Sequence, residues 1–171
     1  MKYFLGIDLG LKGCMSLLNE NKKLISCEPI PIIQVLVNKK MRNQYDISSI
    51  NAIIKAWIND YNIVKIGFER LRGMPNQASQ VAFSLGGATM LFKTLATVYK
   101  IFFVEIEARM WQKKIFGGLG IQYSSKTTKQ ASIQAAKQIF PGFCFKRTEK
   151  CRVDSSDMTD SSLIGLYLID M

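Results

Sequence analysis

The chain has 171 residues, of which 48% are hydrophobic, and carries 23 Lys or Arg against 13 Asp or Glu, a net charge of +10. Histidine is absent and the four cysteines form no Cys-x-x-Cys pair, which excludes the usual zinc sites containing histidine and every Ser-His or Cys-His nucleophile. Hydrolytic chemistry in this chain must therefore use carboxylates, lysines, hydroxyls or a hard metal ion.

The length suits one domain spanning residues 1–171. The N-terminal segment MKYFLGID reaches a glycine and an aspartate too early for a secretory signal, and no apolar run comes near the roughly 18 residues of a membrane span. We expect a soluble protein with reduced cysteines and no membrane contact, in the cytoplasm of a bacterial or phage-infected cell.

The first half of the chain predicts strands followed by a helix. The strands are predicted at 3–8, at 14–18 and, as an extended edge segment with two prolines, around 24–37. The helix is predicted over 47–60, capped by Ser48 or Ser49.

The second half alternates strands with helices. Strands are predicted at 63–69 and 101–106, and helices at 75–99, 108–116, 126–140 and from about 156 to the end of the chain. This order indicates an α/β fold with a mixed sheet.

The positive charge is concentrated in one part of the chain. Between Lys93 and Arg152 there are twelve Lys or Arg and three Glu, so nine of the ten net charges lie there. A surface of this kind is typical of proteins that bind a polyanion, because phosphate contacts release counterions. With no basic amphipathic helix or lipidation motif, a nucleic acid is favoured over an anionic membrane.

Two acids end hydrophobic strands. Strand alternation places Asp8 on the face of Gly6, and Glu69 on the face of Gly67. The residues expected on the opposite face of the second strand are Val64, Ile66 and Phe68. Either acid alone would be read as a turn cap.

Two more acids begin the last helix. Asp160 is in helical register with Leu163, Ile164 and Tyr167, so it lies on the predicted apolar stripe, and Asp157 lies one turn earlier. Acids in a first turn complement the helix dipole, but solvent-facing positions would do this without the cost of desolvating two carboxylates. Asp154 is assigned to a turn or cap.

Four carboxylates without histidine suit hard ions such as Mg²⁺ or Mn²⁺. Two such ions can activate water and stabilise the leaving oxygen in phosphodiester hydrolysis. The acids Asp8, Glu69, Asp157 and Asp160 are therefore predicted to form a metal site, and the basic region to hold the nucleic-acid backbone.

Four segments together resemble the RuvC family of Holliday-junction resolvases, most closely its phage and bacterial members. FLGIDLGLKG is similar to the first strand and its Asp-containing turn, and IGFERLRGMPNQASQVAFSLGGATMLF to the second acidic strand and the long helix after it. ARMWQKKIFG is similar to the segment after the fifth strand, and DMTDSSLIGLY to the C-terminal helix led by Asp-x-x-Asp.

The resemblance implies an RNase H-like fold with a mixed five-stranded sheet flanked by helices. It also implies a homodimer that cuts four-way junctions in pairs and leaves 5′-phosphates. It makes Asp8, Glu69, Asp157 and Asp160 catalytic metal ligands for two Mg²⁺ ions, with Mn²⁺ able to substitute. Lys126 matches a lysine near the scissile phosphate. The residues assigned to DNA binding are Arg70, Arg72, Lys113, Lys114 and Lys129.

The chain departs from the family after the strand glutamate, where bacterial members carry an aromatic wedge that opens the junction. Here Arg70 and Arg72 stand in the sequence ERLRG, and Met74 or Phe83 is an alternative apolar wedge. The helix over 75–99 is the predicted dimer interface, because its two adjacent glycines permit close backbone approach.

Three other functions fit part of the pattern. One is a nuclease of this fold acting on another branched or hybrid nucleic acid, because the metal chemistry would be the same. Another is a non-catalytic junction-binding protein. The third is an ATPase of the actin and sugar-kinase architecture, suggested by DLGLKG but disfavoured by the short chain. A branch-migration motor as a partner is left open.

Overall fold

The computed structural model describes residues 1–70 and 79–171, which contain seven strands and five helices. The strands are β1 (Tyr3–Asp8), β2 (Cys14–Asn19), β3 (Leu24–Pro29), β4 (Ile32–Val37), β5 (Lys40–Tyr45), β6 (Ile63–Glu69) and β7 (Phe102–Ile106). The helices are α1 (Ile47–Asp60), α2 (Ser79–Val98), α3 (Ala108–Gly118), α4 (Thr128–Ile139) and α5 (Ser156–Ile169).

Five strands form one mixed sheet in the order β3-β2-β1-β6-β7. Strands β1, β2 and β3 pair antiparallel, whereas β6 and β7 continue parallel to β1. Helices α1 and α2 cover one face with one apolar core, and α3, α4 and α5 cover the other face with a second core. The predicted α/β class with a mixed five-stranded sheet flanked by helices is confirmed.

The extended segment predicted around 24–37 is two separate strands. Strand β3 ends at Pro29 and forms an edge of the sheet, and β4 pairs with β5 in a two-stranded hairpin outside that sheet. Strand β5 was not predicted, because KMRNQY lacks the β-branched alternation of a strand. Its pairing with β4 across a two-residue turn at Asn38 and Lys39 decides its conformation.

Two local predictions are wrong. Asp46, rather than Ser48 or Ser49, caps α1, and its carboxylate accepts hydrogen bonds from the Ser49 N–H (3.1 Å) and hydroxyl (2.6 Å). The other concerns Val64, which is predicted on the same face of its strand as Ile66 and Phe68. It packs instead against the core on the opposite face, which α5 covers. The cause is an irregularity in the pairing of β1 with β6, where the register shifts between Tyr3 and Phe4 and breaks the alternation.

Helix α5 is buried almost all round instead of along one stripe. Its buried residues run from Met158 to Leu168 and include Thr159, Ser161 and Ser162, with Asp160 half-buried among them. The helix lies between the sheet and α3 and α4, so every side is covered.

The expectation that no apolar run approaches the length of a membrane span is wrong for α2. Its 18 residues Val81–Val98 have a mean hydropathy of 1.4, so by length and composition alone they could cross a membrane. Most of these residues are not buried. The predicted beginning of this helix at residue 75 lies outside the described residues.

Candidate active site

Strands β1 and β6 bring the first two acids to one edge of the sheet. Ile7 pairs with Phe68 in the parallel register. Asp8 and Glu69 are the next residue on each strand, so they lie at the carboxyl ends of two adjacent central strands. Both side chains are half-buried. The carboxyl ends of central parallel strands are a common place for a site in α/β proteins.

The other two acids arrive on α5. A Cβ on Gly6 would overlap the backbone of Ser161 and Gly165, so the helix crosses β1 with backbone against backbone. This close crossing fixes the N-terminal end of α5, which carries Asp157 and Asp160.

The charges of the other three acids act on Asp8. Burial raises the pKa of Asp8 well above its ordinary value, and the carboxylates of Asp160, Asp157 and Glu69 raise it further. The Arg147 guanidinium opposes them. Charges act on a pKa mainly at short range. The charges of the other three acids therefore reach Asp8, and their assignment as one metal site stays a prediction.

The pKa of Asp160 is also raised. Burial is the largest cause, and together with the charges of Glu69 and Asp157 it raises the pKa to about 7. Ser132 and Lys129 on α4 act in the opposite direction. Asp160 Oδ1 and the Ser132 hydroxyl are both buried, and the hydroxyl lies close enough to lower the Asp160 pKa without reaching full hydrogen-bond geometry. A buried carboxylate with so weak a donor favours a bound cation.

Two acids are held by other side chains. Trp111 Nε1 donates a hydrogen bond of 2.8 Å to Glu69 Oε1 and lowers the Glu69 pKa, which burial raises. Arg147 Nη2 lies 3.3 Å from Asp157 Oδ2 and also contacts the Gly13 carbonyl at 3.5 Å. Arg147 thus supplies the positive charge nearest to Asp157.

The donor set fits a divalent ion in chemistry, but the ligands are not drawn together. Across residues 1–70 and 79–171, no three Asp, Glu or Cys side chains are grouped closely enough to hold a metal ion. Like charges repel each other without a cation between them, and Arg147 and Trp111 hold two of the four.

The predicted basic residues lie at different distances from these acids. Lys129 is exposed on α4 and acts on Asp160, whereas Lys126 is exposed in the turn before α4. Lys113 is exposed on α3. Lys114 lies 3.6 Å from Asp170 Oδ2 and 5.2 Å from the ring centre of Tyr167, near the C-terminal end of α5 and away from the acids at its beginning.

Two of the predicted DNA-binding and wedge residues lie within residues 71–78, which the structure does not describe, and two lie close to that segment. Arg70 is exposed directly after β6, and its N–H donates to the Ile106 carbonyl at 2.8 Å. Arg72 and Met74 lie outside the described residues. Phe83 is 85% exposed near the beginning of α2.

Sequence reasoning missed three residues at this site. Trp111 and Arg147 touch acids that are 42 and 10 positions away along the chain, so no local pattern indicates the contacts. Tyr45 is the third. Burial raises its pKa, with a contribution from the Asp8 charge, and the nearby Ser84 hydroxyl lowers it.

Three solved structures share this architecture. Thermus thermophilus RuvC in complex with a Holliday junction substrate aligns with a TM-score of 0.60 at 12% identity, over 97% of this chain and 91% of that one. Another T. thermophilus RuvC structure gives 0.53 at 12% identity over 96% and 91%. The Fowlpox virus resolvase in complex with Holliday junction DNA gives 0.56 at 11% identity over 98% and 97%.

This chain has the fold of these resolvases. The predicted RNase H-like architecture is therefore confirmed at the level of the fold. No family model and no curated protein sequence matches the chain. The function must accordingly be argued from the site.

Proposed function

We propose that this protein is a divalent-cation-dependent endonuclease that resolves four-way DNA junctions. The observation that carries the proposal is that the charges of Glu69, Asp157 and Asp160 all act on the buried carboxylate of Asp8. The fold supports it, because resolvases of the same architecture have been solved with Holliday junction DNA.

The reaction is phosphodiester hydrolysis, in which water attacks phosphorus and the cut leaves a 5′-phosphate and a 3′-hydroxyl. The four acids would hold two Mg²⁺ ions, or Mn²⁺ in their place, and these ions supply positive charge for the attacking water and the leaving oxygen. Trp111 orients Glu69 through its hydrogen bond. Lys129 lies beside Asp160, and Lys126 is three residues earlier, so the two lysines are proposed to stabilise charge that develops on the phosphate.

Two related cuts require two sites, which a twofold dimer provides. We propose α2 as the dimer interface. Gly86 and Gly87 face open space, because no atom of the described residues lies within 4 Å of a Cβ built on either. Met90, one turn later, is 60% exposed. A second copy of α2 would bury this apolar face.

The direct test is an end-labelled four-way junction incubated with the protein, with and without Mg²⁺, and run on a denaturing gel. Symmetric Mg²⁺-dependent cuts are expected on the junction, and much weaker cutting of linear duplex and RNA–DNA hybrid. Preferential cutting of the hybrid would assign the site to another substrate of the same chemistry.

The variant Asp160→Asn separates catalysis from binding. It is expected to abolish cleavage and leave junction affinity nearly unchanged, because affinity comes mainly from the basic surface. The alternative is a non-catalytic junction-binding protein. Junction binding without any Mg²⁺-dependent cleavage by the parent protein would establish that alternative.

A further inference from the structure

The β4–β5 hairpin stands outside the main sheet. Its strands pair with each other in register from Ile32 opposite Tyr45 to Val37 opposite Lys40, and form their own two-stranded sheet. Asn38 and Lys39 form the turn with φ of 50° and 61°, the positive values that a tight two-residue hairpin turn needs. Six residues per strand give an arm about 17–20 Å long.

The base of this arm lies beside the proposed active site. The Asp46 N–H donates to the Pro31 carbonyl at 3.0 Å and closes the hairpin. Tyr45 packs into the core beneath α1 and α2, close enough to Asp8 for that charge to act on it. The arm therefore begins at the edge of the sheet where the acids meet.

The outer part of the arm carries unpaired positive charge. Lys39 and Lys40 are exposed at the turn, Arg42 follows on β5, and no Asp or Glu occurs between Pro29 and Tyr45. Within the described ranges, none of these three cations has an ion-pair partner. A second copy of the chain, with its own charge of +10, is a poor partner for them.

An apolar pair lies on the face of the hairpin opposite to Lys40 and Arg42, because side chains alternate along a strand. Leu36 and Met41 face each other across the strands and are 67% and 58% exposed. An exposed apolar ribbon invites aggregation unless a partner covers it. A DNA groove offers both kinds of contact, with phosphates along its walls and sugars and bases inside, and the major groove admits a two-stranded ribbon.

We propose that the β4–β5 hairpin is a DNA-binding arm, in which Lys39 and Lys40 contact backbone phosphates of a junction arm while Leu36 and Met41 pack inside the groove. This inference rests on the proposed function, because the DNA that the arm holds is the DNA presented to the four acids. The arm lengthens the binding surface beyond the basic region of residues 93–152.

Salt dependence tests the role of the cations. The variant Lys39→Asn with Lys40→Gln removes two charges, and Asn keeps the positive φ at the turn. The measurement is junction affinity by fluorescence anisotropy without divalent ions, from about 50 to 200 mM salt. The slope of log affinity against log salt is expected to become shallower by roughly 2, since each lost phosphate contact removes about 0.9.

The matched control is Lys2→Gln with Lys55→Gln, which removes the same charge from two exposed positions away from the hairpin. Lys2 directly precedes β1, and Lys55 is on α1. Its slope should equal that of the parent protein. If thermal melting shows that the double hairpin variant is unfolded, Lys40→Gln alone should change the slope by about half as much.

The apolar pair is tested by Leu36→Thr with Met41→Thr, which keeps β-propensity and charge. Affinity should fall at every salt concentration while the slope stays unchanged. If the hairpin instead binds another copy of the protein, the hairpin variants should differ from the parent in oligomeric state, measured by analytical ultracentrifugation. The slope of log affinity against log salt should then be the same in the variants and the parent. That result, or hairpin variants that bind like the parent, would overturn the inference.

Failure of this inference is distinguishable from failure of the proposed function. If the parent binds and cuts junctions and the hairpin variants match it, only the arm is wrong. If the parent neither binds nor cuts junctions, the proposed function fails and the arm fails with it.

Discussion

Asp160 combines burial with a pKa of about 7, so its charged form is poorly compensated in the metal-free protein. A carboxylate whose pKa rises on folding binds its proton more tightly in the native state. Its contribution to stability is complete below the unfolded pKa, near 4, and is lost as the pH rises through the folded value. Asp8 and Glu69 shift in the same direction.

The metal-free protein is therefore expected to lose stability between about pH 5 and pH 8. For Asp160 alone the loss is on the order of 2 kcal/mol, after allowance for the solvent that reaches this half-buried group. Asp160→Asn should reduce the loss, because the amide carries no charge at either pH. Chemical unfolding in the presence of a chelator at the two pH values measures the difference.

Mg²⁺ should restore this stability at pH 8 and have little effect at pH 5, because ligands must be ionised to bind it. The parent and Asp160→Asn proteins are compared by the Mg²⁺-induced rise in melting temperature. An equal rise in both would contradict the assignment of Asp160 as a metal ligand.

Trp111 holds Glu69, one of the proposed metal ligands. Its indole N–H bonds to Glu69 and lowers the pKa of that carboxylate. Trp111→Phe keeps most of the packing but removes the donor, so the Glu69 pKa should rise. The acidic limb of the pH–rate profile for junction cleavage should move to higher pH by up to about one unit.

The control for this change is Phe116→Leu, which alters the aromatic contact of Trp111 (ring centres 5.6 Å apart) without touching Glu69. Its profile should keep the parental midpoint even if stability falls. A Trp111→Phe profile with the same midpoint as the parent would show that the hydrogen bond does not tune Glu69.

At the scale of elements, the crossing of α5 over β1 positions half of the acid cluster. The contact depends on the absence of side chains at Gly6 and Gly165. A Cβ on Gly165 would overlap Leu18 on β2. The helix is buried on all sides and has little room to move away.

Gly6→Ala is expected to destabilise the protein by about 3 kcal/mol or more, because the added methyl meets backbone atoms that cannot rotate aside. The control is Gly117→Ala on α3, where nothing lies within 4 Å of the added carbon, and a change within about 1 kcal/mol is expected. Urea unfolding compares the two variants. Equal, small effects would mean that α5 does not pack on β1 in this way.

At the scale of the whole molecule, the proposed function assigns different partners to two surfaces. We propose that the basic region of residues 93–152 binds DNA and that the exposed apolar residues of α2 pack against a second copy of the chain.

Met90→Glu on α2 should convert a dimer to a monomer, because it places a charge in an apolar interface. Met110→Glu on α3 is the matched control at an exposed methionine outside that helix. Analytical ultracentrifugation measures the state, and a circular junction substrate distinguishes paired cuts from single nicks. A parent protein that is monomeric while it makes paired cuts would contradict the role of α2.

Much of the fold was predictable because local periodicity decides most elements. Strands β1, β2, β6 and β7 and helices α1, α3, α4 and α5 follow the predicted ranges within a few residues. Strand β5 and the packing of Val64 were not predictable, since a partner strand and an irregular register decide them.

The four acids were identified from the chain alone, because two end apolar strands and two begin an apolar helix, where carboxylates are costly without compensation. The charges of Glu69, Asp157 and Asp160 act on Asp8, and their role as one metal site stays a prediction. Only the tertiary structure decided which groups hold them. Trp111 and Arg147 reach the acids from elements that pack against them, and Lys114 is directed instead to the far end of α5. Side-chain direction depends on packing between elements, and no local sequence pattern contains that information.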